Sequence, residues 1–499
     1  MSLINISNLT FAYEGSYDNI FENVSFQLDT DWKTGFTGRN GRGKTTFLRL
    51  LLGELEYSGK ISASVNFEYF PYHISDPDNI TSEIVGSIAE SAEDWEILRE
   101  INLLGVSHSV LERPFSSLSM GERTKVLLAA LFLRENAFLL IDEPTNHLDA
   151  EGRRLVAEYL NGKSGFILVS HDRNFLDSCV DHILSINKTN IEVQRGNFSS
   201  WYYNKQLRDN YELAENERLA KEIKKLESAS RQAKQWADKV ESTKIGYDPR
   251  REERNIGSRS YIGEQSRRMQ QRRKNLERRQ NRAIEEARGL LHNIEEAEDL
   301  KLFPLDYHSE RLVQLRNLSI AYGDRIICSG VSFELLRGDR CAILGHNGSG
   351  KSSILKLIAG DDGGFSGSFS GDFYQASGLK ISYVAQDTSN LSGSLDDYAR
   401  SFSVDIPLFK AILRKLDFAR VQFEKPLESL SAGQKKKVTL ARSLCERAHL
   451  YIWDEPLNFI DVLSRIQIED LLLKYAPTIL FVEHDAAFCE NVATKTIVL

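Results

Sequence analysis

The sequence predicts an α/β fold built twice, as two tandem domains joined by a long antiparallel coiled-coil hairpin. Three observations carry this expectation. Four short motifs recur in one order at nearly one offset, strand-like apolar runs give way to glycine-rich loops and helical spacing, and a heptad-patterned stretch separates the copies.

The repeat is read directly from the residues. Gly38-Arg39-Asn40-Gly41-Arg42-Gly43-Lys44-Thr45 returns as Gly345-His346-Asn347-Gly348-Ser349-Gly350-Lys351-Ser352, 307 positions on. Leu118-Ser119-Met120-Gly121-Glu122 returns as Leu430-Ser431-Ala432-Gly433-Gln434, and Asp142-Glu143-Pro144 as Asp454-Glu455-Pro456, both at 312. Ser170-His171-Asp172 returns as Glu483-His484-Asp485 at 313. The first domain is expected over 1–202, the connector over 203–310 and the second domain over 311–499.

In each half a short apolar run (Thr34–Thr37, Arg340–Leu344) precedes the glycines, and helical spacing follows them. Phe166–Val169 is apolar throughout, as is Thr478–Val482 after its first residue, and both read as parallel strands buried on both faces. In the connector, Leu219, Ile223, Leu226, Ser230, Ala233, Ala237 and Val240 alternate steps of four and three, while Ile262, Met269, Leu276, Ala283, Leu290 and Ala297 fall at sevens. Two such helices predict arms of roughly 55 Å. Gly246, Pro249 and Gly257 place the tip over 241–261.

Composition excludes several classes. The chain has 499 residues, with Lys+Arg of 63 against Asp+Glu of 71 and a net charge of −8, so it is no uniformly basic coat for nucleic acid. Its longest clean apolar run, Val126 to Leu133, has eight residues, against about twenty for a membrane helix. No signal peptide is visible at the N-terminus. Five scattered cysteines without a CxxC pair argue against a disulfide framework or zinc site and predict a reducing, cytoplasmic setting.

The motifs carry the chemistry of a nucleoside triphosphate. Gly38, Asn40, Gly41 and Gly43, with Gly345, Asn347, Gly348 and Gly350, let backbone N–H groups close on phosphate oxygens at a helix N-terminus. Lys44 and Lys351 are placed for the β- and γ-phosphates, followed by Thr45, Thr46, Ser352 and Ser353. Thr45, Ser352, Asp142 and Asp454 are expected to ligate Mg²⁺. Glu143 and Glu455 are candidate general bases, and His171 and His484 candidates to contact the γ-phosphate or position water. Tyr13 and Tyr322, 25 and 23 residues before the loops, offer faces for adenine.

These motifs resemble the ATP-binding cassette superfamily. The resemblance implies ATP and Mg²⁺ as cofactors, ATP hydrolysis, and composite sites within a monomer. The first P-loop would face Ser431 and Gly433, and the second Ser119 and Gly121. It also implies a metal-contacting glutamine, present as Gln386 but replaced in the first half by Tyr72 of Tyr69-Phe-Pro-Tyr72-His73, so unequal sites are expected.

The long connector, the wording Asp142-Glu-Pro-Thr-Asn-His-Leu-Asp149 and the run Gly196-Asn-Phe-Ser-Ser-Trp201 resemble the ABC-F family, soluble tandem cassettes acting on ribosomes. Gly38–Thr46 and Trp453–Asp461 are similar to its antibiotic-resistance members, and neither an arm insertion in the first cassette nor a basic C-terminal extension of the housekeeping kind is visible. That resemblance implies a bacterial ribosome as partner, with large-subunit rRNA and P-site tRNA. Tyr247, Arg250, Arg251, Ile256 and Tyr261 are the tip candidates. Charge agrees, since residues 250–288 hold thirteen Arg and Lys against six acids. A housekeeping ABC-F factor and a transporter ATPase subunit are the alternatives.

Overall fold

The computed structural model describes residues 2–13, 19–146, 148–186, 191–245, 301–346, 348–416, 418, 420–458 and 460–499, with isolated positions between 264 and 278. The chain divides into two units, one of Met1–Trp201 with Ala297–Leu499 and one of Tyr202–Glu296.

In the first cassette β1 (Leu3–Phe11), β2 (Phe21–Asp29), β3 (Lys33–Thr37) and α1 (Lys44–Leu51) lead to β4 (Ser58–Ser62), β5 (Asn66–Phe70), α2 (Thr81–Ile88), α3 (Asp94–Leu103) and α4 (Met120–Phe132). Then follow β6 (Ala137–Asp142), α5 (Ala150–Asn161), β7 (Phe166–Val169), α6 (Arg173–Cys179), β8 (His182–Ile186), β9 (Ile191–Arg195) and α7 (Phe198–Ile245). The second cassette has β10 (Arg311–Tyr322), β11 (Arg325–Leu336), β12 (Arg340–Leu344), α8 (Lys351–Ala359), β13 (Ser368–Gln375), β14 (Ile381–Val384), α9 (Leu395–Ser401), α10 (Ile406–Lys415), α11 (Ala432–Cys445), β15 (Leu450–Asp454), α12 (Val462–Tyr475), β16 (Ile479–Val482), α13 (Ala486–Val492) and β17 (Lys495–Val498).

The duplication holds at the level of topology. The large sheets run β5-β6-β7-β3-β8-β9 and β14-β15-β16-β12-β17, parallel except for β9, and each cassette adds a three-stranded antiparallel sheet. The tandem α/β fold expected from the repeat is the fold observed. β7 and β16 are buried along their whole length, as strands covered on both faces are. α1 packs on its sheet through Phe47, whose ring meets Phe36 edge-on at 5.5 Å. Burying such a ring contributes about 2–3 kcal/mol.

The strand-to-helix loop requires glycine at one point in each cassette. Gly43 and Gly350 both have φ 95°, and a Cβ on Gly43 would lie 2.5 Å from Ile20 Cγ2. The left-handed backbone and the lack of space together select glycine.

The connector helix departs from the expected bounds. It starts at Phe198 rather than 203, and it is still helical from 241 to Ile245, the last described residue of that run. The run Gly196–Trp201 forms its root. Phe198 and Trp201 are buried, Ser200 N–H donates to Asn197 Oδ1 at 3.1 Å, and Ser199 N–H donates to Asp177 Oδ1 of α6 at 2.8 Å. Tyr247, Arg250, Arg251, Ile256 and Tyr261 lie outside the described residues, as does most of the second arm. Among the described residues no helix is long and apolar enough to cross a membrane.

Candidate nucleotide sites

Each P-loop lysine folds back over its own loop. Lys44 Nζ donates to the carbonyls of Gly38 (2.6 Å) and Arg39 (3.3 Å) and to Asn40 Oδ1 (3.4 Å), and Lys351 Nζ to those of Gly345 and His346, both at 2.8 Å. Burial lowers both ammonium pKa values, with nearby carboxylates opposing it. Asn347 lies outside the described residues.

The two strand-end aspartates differ. Asp142 Oδ2 accepts from the Tyr69 hydroxyl at 3.0 Å and from Thr45 Oγ1 at 3.4 Å. Both oxygens of buried Asp454 lack a hydrogen bond of good geometry, and so does the hydroxyl of Tyr383, the counterpart of Tyr69. Burial pushes Asp454 up to about 6, with the Ser352 hydroxyl partly opposing it. A buried carboxylate whose only side-chain donor is the Ser352 hydroxyl, with Ser352 and Gln386 lining the adjoining cavity, is a hard oxygen donor set that fits Mg²⁺. Among the described residues no group of three or more His, Cys, Asp or Glu forms a cage.

Glu143 and Glu455 occupy left-handed backbone at φ 52° and 47°, costly for a non-glycine residue and typical of functional sites. Their N–H groups donate to the carbonyls of Val169 (2.9 Å) and Val482 (3.0 Å), which fixes each beside the strand leading to its histidine. His171 Nε2 stands 3.4 Å from Glu143 Oε1, and His484 Nε2 3.3 Å from Glu455 Oε1.

Geometry matches; electrostatics do not. Burial, then the neighbouring Asp142, raises Glu143 to about 8. Burial also raises Glu455, but the hydrogen bond and charge of His484 outweigh it and hold it below the usual range. Burial and the charges of Lys44 and Arg465 keep His171 neutral. Asn458 Nδ2 donates to Glu455 Oε2 at 2.7 Å.

The signature residues are first of all helix caps. Ser119 and Glu122 close a capping box on α4, and Ser431 and Gln434 close one on α11. The free N–H groups of the first turn then point out as an anion-binding end. A cavity of about 550 Å³ brings Asn40, Gly41, Glu143 and His171 of the first cassette against Ser431 and Gly433 of the second. A cavity of about 520 Å³ holds Tyr322, Gly348, Gly350, Lys351, Ser352, Ser353, Gln386, Glu455 and His484. The first cassette contributes Asn146, Leu148 and Arg153 to it; Ser119 and Gly121 do not line it. Arg153 Nη1 donates to the His484 carbonyl at 3.2 Å and to Asp172 Oδ2 at 3.1 Å.

Tyr322 lies in its cavity, whereas Tyr13 is not among the residues lining the other. Tyr13 meets Phe11 edge-on at 5.0 Å, and its hydroxyl lies 3.0 Å from Thr46 Oγ1. Sequence reasoning passed over Tyr69, Asn146, Arg153 and Asn458. Arg153 and Arg465 share the 312 offset and are the signal that was available.

The family described as ABC transporter matches residues 21–146 and 328–458. The chain belongs to that family, in its tandem ABC-F form, and is an ATP hydrolase. It is similar to the ribosome protection protein VmlR of Bacillus subtilis, 26% identical over 511 residues covering 100% of this chain and 86% of that one. It is also similar to the energy-dependent translational throttle protein EttA of Escherichia coli, 25% identical over 527 residues, covering 95% and 88%. Among solved structures, a complex of archaeal ribosomal stalk protein aP1 with the ribosome recycling factor aABCE1 matches with TM-score 0.63 and 18% identity, covering 98% of this chain and 87% of that one. That likeness is one of fold.

Proposed function

We propose that this chain is a cytoplasmic, monomeric, ribosome-binding ATPase of the antibiotic-resistance type. ATP with Mg²⁺ closes the two cassettes on each other, and the closed form binds the exit-site region of the bacterial ribosome. The connector tip, 241–261, then reaches toward the peptidyl-transferase centre, shifts rRNA and P-site tRNA, and displaces bound lincosamide, pleuromutilin or streptogramin A. Hydrolysis releases the closed state. The observation that carries this reading is similarity to a ribosome protection protein along the whole chain. The basic stretch at 250–288 in an otherwise acidic chain supports it, because only the connector then attracts RNA phosphates.

The chain's own residues supply the hydrolytic chemistry. An ionised Glu455 accepts a proton from water, His484 fixes that carboxylate, and Lys351 holds the phosphates. Bound Mg²⁺ would neutralise phosphate charge beside Asp454 and Ser352. Drug and protein oppose each other's binding by linkage.

A housekeeping translation factor is the second reading, favoured by the similarity to the throttle protein. Cell-free translation with each drug class, with and without purified protein, separates the two. Rescue from lincosamide, pleuromutilin and streptogramin A supports target protection. Altered drug-free translation without rescue supports the housekeeping role, and no effect of either kind points to a transporter subunit. Changing Glu143 and Glu455 together to Gln is expected to hold the protein on ribosomes, and release as fast as wild type sinks the ATP-clamp account.

A further inference from the structure

Two buried charges stand behind the second ATP site with no counterpart in the first. Lys436 is 3% exposed and Glu483 4%. The repeat places Thr124 and Ser170 at the equivalent positions of the first cassette. Buried charges destabilise unless their hydrogen-bonding capacity is met, so the partners matter. Lys436 Nζ donates to the carbonyl of Ala385 at 2.9 Å and to that of Asp454 at 3.3 Å. Glu483 accepts from the Leu457 N–H at 2.7 Å through Oε1 and from the His484 N–H at 3.2 Å through Oε2.

All four hydrogen-bond partners are backbone groups, drawn from three loops of the site. Ala385 precedes Gln386, Asp454 precedes Glu455, Leu457 lies in the turn that carries Asn458, and His484 is the histidine itself. In the first cassette the hydroxyls of Thr145 and Ser170 meet at 3.3 Å, and Ser170 Oγ accepts the Asp172 N–H at 3.2 Å. The first cassette thus ties its loops with neutral hydroxyls.

We infer that Lys436 and Glu483 are positioning residues of the second ATP site, a paired brace that fixes the loops of Gln386, Glu455, Asn458 and His484 in one arrangement. Neither lines the cavity around Lys351, so neither touches nucleotide there. Their effect falls on the alignment of Glu455 with its water, and not on phosphate binding at the P-loop. This inference rests on Glu455 and His484 acting in hydrolysis.

The test uses the full chain carrying Glu143→Gln, so that turnover reports the second site. Lys436→Thr and Glu483→Ser, alone and combined, introduce the first cassette's own residues. Each single change is expected to lower kcat about ten-fold while the ATP KM stays within about two-fold. Glu483→Gln, which keeps the Leu457 bond, is expected to fall between wild type and Glu483→Ser. The combined variant is expected to be no worse than the poorer single, since the two act as one brace.

Unchanged kcat, kcat and KM shifting together, or losses that multiply in the combined variant each overturn the inference. If the singles melt below the assay temperature, Glu483→Gln decides, as it keeps the shape and the Leu457 bond, and an unchanged kcat there overturns the inference. Glu455→Gln in the same background tests the underlying assignment separately. If it leaves turnover intact, the role of Glu455 falls; if it abolishes turnover while the brace variants keep wild-type kcat, only the brace falls.

Discussion

The Tyr69 hydroxyl donates to Oδ2 of Asp142 at 3.0 Å, on the same oxygen that Thr45 approaches at 3.4 Å. The first site therefore fills with a phenol the carboxylate oxygen that the second site leaves unpaired on Asp454. Tyr69→Phe removes the donor and keeps the ring. We expect the Mg²⁺ needed for half-maximal ATP binding at the first site to fall about three-fold or more. Fluorescent-ATP titration in a Lys351→Ala background reads it, and an unchanged requirement counts against competition between Tyr69 and metal.

The two glutamates predict different pH profiles. Glu143, held near 8, is mostly protonated at neutral pH, and a general base works only when ionised. First-site turnover, isolated with Glu455→Gln, should rise as pH passes through about 8. Glu455 sits below its usual range, so second-site turnover, isolated with Glu143→Gln, should be flat from neutral pH upward. Parallel profiles contradict the assignment.

Arg173 of α6 crosses to Glu469 of α12, both largely buried, and Asn491 Nδ2 donates to the other Glu469 oxygen at 2.7 Å. Arg173→Ala leaves a buried carboxylate with one neutral partner and should cost about 3 kcal/mol. A melting scan should show the loss, and Glu469→Gln on top of it should recover part. No recovery means that the pair is not coupled.

Ser431→Ala and Ser119→Ala each remove a helix cap worth about 1 kcal/mol. Ser431 lines a cavity shared with the first P-loop, whereas Ser119 does not line the cavity around Lys351. Stability should fall alike in both variants, whereas ATP affinity at the first site should fall only with Ser431→Ala. Equal affinity losses contradict a site-specific role.

What the sequence disclosed was local. A P-loop, a capping box and a strand-end acid are contiguous, and duplication multiplies their signal. The hydrogen bond from Tyr69 to Asp142 spans 73 positions and Arg173 to Glu469 spans 296, distances over which no periodicity speaks. The lack of glutamine at Tyr72 was legible as an absence, but the phenol that meets Asp142 was three residues earlier. The helix begins at Phe198, before the expected 203, because heptad counting tracks the seam and is blind to the buried root at Phe198 and Trp201.

The capping boxes of Ser119–Glu122 and Ser431–Gln434 carry a lesson about inheritance. Each cassette needs its box to begin a helix, whether or not a triphosphate ever arrives. Folding alone therefore favours keeping this motif, by about 1 kcal/mol per cap, even in a cassette that no longer hydrolysed ATP. A position with chemistry but no architecture is freer to differ, and the two cassettes do differ there, at Tyr72 and Gln386.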